Sequence, residues 1–286
     1  MIQCPPNLPL EVLMPITIYD SGPKDAEETL VFLHGYPDDS SMWDLQVAYF
    51  EKRFRCLRPE LPNFGDRVED PAGYDFESVI RQLGDALGAH SPKLKGPLTL
   101  VVHDWGAVYG YLFAERYPER VKRLVALDVG AAIKKQPNPI GYLMVPAYQL
   151  TLASAFLISR VPAIGPFVGN LLTKGILAGL GLFGSQYSGP TRRTPLSPAL
   201  NYPYYYFWKG VLTGQLPLSM KLPDIPFFFA YGTRGLKKVM MFHDEAWLKK
   251  VSQKATNKVV AFEQSSHWLM RDEPEKLNRE IESFLQ

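Results

Sequence analysis

Cysteine is scarce in this sequence: Cys4 and Cys56 are the only two in 286 residues. Two are too few for a disulfide framework, and neither stands at a metal-ligand spacing. No metal site is expected, therefore, and a reducing, cytoplasmic setting is. An excess of one charge is also missing. The 31 Lys and Arg nearly balance the 29 Asp and Glu, for a formal net charge of +2. Nucleic-acid binding leaves a basic surplus or stripe, and its absence argues against such a partner. Met1 to Leu10 holds prolines but no basic-then-apolar pattern, so no secretory signal is visible. The last thing lacking is a long unbroken apolar run. Gln136 to Ser159 carries no charge, yet Pro137, Pro139 and Pro146 interrupt it, and Pro162, Gly165 and Pro166 interrupt the apolar stretch beyond it. A spanning helix wants about 20 mostly apolar residues in a row. The expectation is a greasy helical insertion that lines a pocket, with peripheral membrane contact rather than a span.

What is present is a rhythm of β-rich and helical segments. Leu30 to Leu33 is an apolar run ending in His34-Gly35, with a helical segment from about Ser41. Arg55 to Leu57 reads as a short strand. Phe76 to Ala89 reads as an amphipathic helix with Val79, Ile80, Leu83, Ala86 and Leu87 on one side. Leu98 to Val102 and Val121 to Leu127 are apolar and β-branched, as strands buried on both faces should be. A helix from Ala107 to Tyr117 lies between them. Alternation of this kind predicts an α/β protein with a mostly parallel sheet covered by helices on both faces. The rhythm stops near Ala131 and resumes with Pro226 to Tyr231, a helix through Trp247, the strand Lys258 to Phe262, and a last helix from Pro274. The division expected is a core of 1–130 and 226–286 with a helical cap of 131–225. There is no internal repeat and no low-complexity segment.

The chemistry-bearing segment is Val101-Val102-His103-Asp104-Trp105-Gly106-Ala107, between a buried strand and a helix. A sharp strand-to-helix turn needs small residues around it and lifts one side chain above the sheet, as in the G-x-S-x-G elbow of α/β-hydrolases. Here the nucleophile slot holds Asp104, and Val102 stands where that pattern has glycine. A carboxylate is ionised at neutral pH and can displace a leaving group from saturated carbon without help from a base. The alkyl ester that results is hydrolysed by a base-activated water, so the oxyanion forms on the aspartate's own carbonyl. Trp105 and Tyr36, the latter in His34-Gly35-Tyr36-Pro37, are the expected backbone donors to it. The competing reading of Asp104 is a plain helix N-cap.

The base is expected on a loop after the last strand. Of His34, His90, His103, His243 and His267, only His267 follows a terminal strand and precedes a terminal helix. Its partner carboxylate would be sought just past Gly232, but Thr233 to Lys238 contains no acid. Asp128, ending the strand that follows the elbow helix, is the chosen third member, with Asp244 in reserve.

Leu98 to Gly130 resembles the elbow region of haloalkane dehalogenases and the related epoxide hydrolases, and the likeness extends over Leu30 to Asp128 and Pro226 to Gln286. It implies the α/β-hydrolase fold and an alkyl-enzyme ester on Asp104. The two families differ in their demands. An acid at Asp128 matches one dehalogenase branch, but the halide-binding Asn slot of that branch holds Tyr36. Epoxide hydrolases resemble the chain at His34-Gly35-Tyr36-Pro37 and use two cap tyrosines on the epoxide oxygen. The resemblance assigns Tyr148 as the first, and among Tyr202 to Tyr206 the choice is Tyr205, with Trp105 also against substrate. The expectation is hydrolysis of an apolar epoxide to a diol, with water the only co-reactant and no cofactor. Carbon–halogen hydrolysis is the runner-up; an inactive ligand-binding relative or a luciferase-like oxygenase are the readings from other classes.

Overall fold

In a computed structural model of the protein, residues 16–65, 70–90, 96–130, 139–182, 195–215, 221–235 and 241–286 are described. The strands are β1 (Ile18–Ser21), β2 (Thr29–Leu33), β3 (Arg55–Pro59), β4 (Leu98–His103), β5 (Val121–Leu127), β6 (Phe227–Gly232) and β7 (Lys258–Phe262). They form one sheet in the order β1-β3-β2-β4-β5-β6-β7. Every pairing is parallel except β1 with β3. The expected α/β architecture is therefore observed, with β1 as an antiparallel edge strand that the hydrophobic pattern does not announce.

Side-chain alternation along the central strands explains why they form a sheet buried on both sides. Val31, Leu33, Leu100, Val102, Leu124, Ala126, Phe227 and Phe229 point to one face. Leu30, Phe32, Val101, Val125, Leu127, Phe228 and Ala230 point to the other. With a period of two and both faces apolar, such strands are stable only when both faces are covered. On the first face, helix α2 (Phe76–His90) brings Val79, Ile80, Leu83 and Leu87, and α3 (Trp105–Arg116) brings Ala107, Tyr111 and Phe113. On the second, α1 (Asp44–Phe50) brings Val47 and Phe50, and the last helix (Pro274–Leu285) brings Leu277 and Ile281.

Between β5 and β6 the described residues include three α-helices: α4 (Pro139–Ile158), α5 (Gly165–Leu182) and α6 (Tyr202–Thr213). Helix α4 corrects one expectation, since it runs unbroken through Pro146. A proline removes one helical N–H, and here the turn around it is held by packing instead. Tyr148, Leu152 and Phe156 on its inner side are buried in the same apolar cluster as Trp105. α4 is long and apolar enough to cross a membrane, yet that inner face is tied into the protein. After β6 come α7 (Glu245–Val251) and the short α8 (Leu269–Asp272), so the last helix is α9. The helix expected through Trp247 begins only at Glu245, and Leu236 to Met240 lie outside the described residues.

Candidate active site

Strand β4 ends at His103 and helix α3 starts at Trp105, which leaves one residue to reverse the chain. That residue, Asp104, has φ 53 and ψ −125. Non-glycine residues rarely adopt such a conformation, and holding it costs about 1–3 kcal/mol that the surrounding fold must supply. Two glycines make the turn possible. A Cβ on Gly106 would lie 2.4 Å from the carbonyl oxygens of both Leu33 and His34. A Cβ on Gly35 would lie 2.5 Å from the Cβ and Oδ1 of Asp104 itself. The backbone of β2 and its following loop thus presses directly on the elbow.

This approach decides what the Asp104 side chain does. Although Asp104 occupies the N-cap position of α3, its side chain makes no capping bond there. Instead the Tyr36 backbone N–H donates to Oδ1 at 2.7 Å. The N–H of Trp105 also acts on the carboxylate, and α3 directs its positive end at it. The other oxygen, Oδ2, faces Nε2 of His267 at 3.5 Å. Burial works against charge on Asp104, but the His267 hydrogen bond and charge outweigh it and hold the carboxyl below its usual range. Its side chain remains 15% exposed.

His267 stands on the loop after β7, between two carboxylates. Its Nδ1 donates to Asp128 Oδ2 at 2.5 Å. Asp128 follows β5 directly, is fully buried, and takes the left-handed φ of 66. Its second oxygen, Oδ1, accepts from the Gly232 N–H at 3.2 Å, which fixes the carboxylate across the sheet edge from β6. Asp244, the reserve candidate, is occupied elsewhere: it caps α7 by accepting from Trp247 N at 2.7 Å. Burial alone would lower the basicity of His267, but the hydrogen bonds and charges of Asp104 and Asp128 prevail and push it up to about 9.

His103, a residue that sequence reasoning passed over, positions this ring. Its Nε2 lies 2.9 Å from the His267 carbonyl oxygen, so Nε2 carries the proton and donates. The two rings sit 4.3 Å apart. Burial and the neighbouring His267 charge push His103 down to about 3, so it stays neutral while it clamps the loop. Ser266 adds a second restraint, donating from both N and Oγ to Asp272 at 2.7 and 2.6 Å.

The inserted helices close over the site with tyrosines. Tyr148 on α4 is buried, and Tyr204 on α6 packs edge-on against Trp105 and Tyr36, with centroids 5.0 Å away in both cases. Tyr148 and Tyr204 also lie edge-to-face at 6.0 Å. Burial, with the Asp104 charge contributing, raises both phenols, so each keeps its proton at neutral pH. Tyr205 is not in this group. It lies against Phe156, Tyr206 and Arg160. Among Tyr202 to Tyr206, therefore, it is Tyr204 that meets the elbow. In a helix one step along the chain turns a side chain by about 100°, and nothing in a run of tyrosines indicates which one faces inward. Tyr36 is held from above as well, its hydroxyl donating to Asn201 Oδ1 at 2.9 Å. Among the described residues no cluster of His, Cys, Asp and Glu is arranged to hold a metal ion.

With this geometry established, comparison with known proteins adds the family. Residues 30–280 match the profile described as the alpha/beta hydrolase family. The chain is 26% identical over 312 aligned positions to a cis-3-alkyl-4-alkyloxetan-2-one decarboxylase of Xanthomonas campestris pv. campestris, spanning 99% of this chain and 96% of that protein. It is 23% identical over 285 positions to epoxide hydrolase 4 of Mus musculus, spanning 93% of this chain and 75% of that one. Among solved structures, a Bacillus megaterium epoxide hydrolase in complex with an inhibitor superposes with a TM-score of 0.66 at 22% identity, over 94% of this chain and 96% of that one. At such identity the likeness establishes the fold.

Proposed function

The chain belongs to the alpha/beta hydrolase family, and from that premise we propose that it is an epoxide hydrolase working through a covalent alkyl ester on Asp104. One observation carries the reading. The elbow holds a carboxylate whose Oδ1 receives a backbone N–H at 2.7 Å while Oδ2 faces an imidazole. Such a group has one oxygen kept for charge stabilisation and the other free to attack.

In the proposed reaction Oδ2 bonds to a ring carbon of the epoxide and the carbon–oxygen ring bond breaks. The alkoxide takes a proton from Tyr148 or Tyr204, whose raised phenols remain protonated until an oxyanion of greater basicity forms beside them. Ester formation removes the negative charge of Asp104, and with it one of the two supports that keep His267 protonated. His267 passes its proton to the tyrosinate left by that transfer, and the neutral imidazole then accepts a proton from water as the hydroxide adds to the Asp104 carbonyl carbon. The developing oxyanion is Oδ1, already opposite the Tyr36 N–H, with the Trp105 N–H acting on the same carboxylate. Collapse breaks the bond from carbonyl carbon to Oδ2, that oxygen takes the proton of the new carboxyl's hydroxyl and leaves as part of the diol, and Asp104 is again a carboxylate beside a protonated His267. Asp128 orients the imidazole and compensates its charge throughout.

The neighbourhood of Trp105 favours an epoxide over a halide. Its indole interacts with the Tyr204 hydroxyl, and position 36 offers a phenol already engaged by Asn201. A second reading has its own support, because the Xanthomonas relative aligns over nearly the whole of both chains and its name specifies an oxetan-2-one. That ring is also strained and opens at an alkyl carbon–oxygen bond. Attack by Asp104 at C4 would free the ring carboxylate, and loss of carbon dioxide with departure of Asp104 would leave an alkene.

The test is to incubate the protein separately with an aryl epoxide, a 1-bromoalkane and a cis-3,4-dialkyl oxetan-2-one, assaying diol, bromide and carbon dioxide. Diol formation is expected. Bromide or carbon dioxide without diol would replace the epoxide reading by the corresponding alternative.

A further inference from the structure

Helix α4 is apolar on both sides, and among the described residues one side is buried while the other is exposed. Tyr148, Leu152 and Phe156 face inward, while Ile140, Leu143, Ala147, Leu150, Ser154 and Leu157 are exposed. The exposed set recurs at alternating intervals of three and four, which places it along one stripe of the helix. The stripe continues past the turn into α5 through Val161, Ile164, Phe167 and Leu171. Nine of the twelve large apolar side chains exposed among the described residues fall between Ile140 and Leu171. Leu143 is 75% exposed and Phe167 is 71% exposed. A cluster of exposed apolar side chains on one face marks a surface for a partner or a membrane.

The charge of the same region is one-sided. From Val129 to Pro223 there is no Asp or Glu, and there are eight Lys and Arg. The remainder of the chain has 23 basic and 29 acidic residues, so the segment between β5 and β6 is basic in sequence and the rest is acidic. Among the described residues of that segment Arg160, Lys174, Lys209 and Lys221 are exposed, Lys174 on the same helix as Phe167 and Leu171. A second copy of the chain would bring the same positive surface to the contact, and like charges would oppose that pairing. An anionic lipid surface offers both complements at once: hydrocarbon for the stripe and phosphate for its basic surround.

We propose that the outer face of α4 and α5 seats this protein on anionic lipid bilayers as a peripheral, non-spanning contact. The assignment is independent of the reaction at Asp104. It also gives an apolar substrate a short route, because the helix whose outer stripe enters the lipid carries Tyr148 on its inner face.

The experiment is co-sedimentation of the full chain with vesicles of phosphatidylcholine alone or with about one-third phosphatidylserine. The protein should pellet with the anionic vesicles, and partition should fall about tenfold or more without phosphatidylserine or at high salt. Leu143→Glu and Phe167→Glu should release it, with near-ultraviolet circular dichroism unchanged because both side chains are exposed. Lys174→Glu, which removes no apolar anchor, should weaken binding in the same direction. Leu45→Glu, at an exposed leucine on α1, should have no effect. The proposal is overturned if the wild type stays in the supernatant with both vesicles, or if Leu45→Glu releases it equally. It is overturned too by a dimer that Phe167→Glu dissociates, or by protein that resists an alkaline carbonate wash as a spanning helix would.

Discussion

Asp128 and His267, 139 residues apart in sequence, meet through a 2.5 Å contact between Oδ2 and Nδ1. The left-handed turn at Asp128 and the Gly232 N–H aim the carboxylate at the imidazole, and its complete burial strengthens the interaction. Replacing Asp128 by Asn keeps the shape but removes the charge and favours the wrong tautomer of His267. Turnover should drop by about 10²–10⁴-fold. Hydrolysis of the ester should suffer more than its formation, so rapid quench should reveal alkyl-enzyme accumulating in Asp128→Asn and not in the wild type.

His267→Gln should arrest the reaction after its first half. Asp104 needs no base to attack, whereas the water does. Intact-protein mass spectrometry after mixing with epoxide should show the protein plus one substrate, localised to the peptide holding Asp104. The unreacted protein should also unfold at lower temperature, because Asp128 would keep a buried charge after losing its cationic partner, a loss on the order of 3–5 kcal/mol. An unmodified mass with intact folding would sink the covalent route.

The fold and the elbow were legible because they depend on local, repetitive chemistry. Leu98 to His103 and Val121 to Leu127 announce buried parallel strands by composition, and His103-Asp104-Trp105-Gly106 announces the turn. Asp128 was reachable for a related reason: it ends a strand adjacent to that of Asp104, so topology brings both to one edge. The tyrosines were not. Whether Tyr204 or Tyr205 faces inward depends on how α6 is rotated against Tyr36 and Trp105, a tertiary outcome without a local signal. His103 is likewise silent in sequence, since its role rests on a carbonyl 164 residues away. The continuity of α4 through Pro146 is a further case in which tertiary packing overrides a local breaker.

Tyrosine substitutions should separate the inward pair from their neighbour. Tyr148→Phe and Tyr204→Phe each remove a proton donor, and each should slow ester formation about 10–100-fold. Tyr205→Phe should remain close to wild type. Stopped-flow tryptophan fluorescence would follow the step, since Trp105 adjoins Asp104. A large defect in Tyr205→Phe alone would reverse the assignment.

The protonation of His267 should be visible in both stability and kinetics. Its folded-state value is raised to about 9 from the ordinary 6.5. The folded protein therefore binds a proton that the unfolded chain releases earlier. The resulting stabilisation is complete below about 6.5 and disappears as pH rises through about 9. Thermal unfolding from pH 6 to 10 should show that decline, and His267→Gln should lose it. In the ester the Asp104 charge is gone, so hydrolysis should reach half its maximum rate at a lower pH than the free-enzyme imidazole titrates by NMR. Coincidence of the two values would mean that Asp104 does not support the imidazolium.

Isotopic water distinguishes ester formation from direct attack without any mutation. If Oδ2 of Asp104 bonds to carbon, the oxygen added to substrate in the first turnover comes from the protein, and water replaces it in the carboxylate. With enzyme in excess over epoxide in ¹⁸O-water, the diol should be unlabelled and the Asp104 peptide should carry one ¹⁸O. If Asp104 and His267 merely activated a water against the ring, label would enter the diol at once and leave the peptide light. The 3.5 Å separation of Oδ2 and Nε2 permits a hydrogen-bonded pair but leaves no room for a water on the line between them. In the free enzyme the imidazole therefore contacts the nucleophile itself, which favours labelling of the carboxylate.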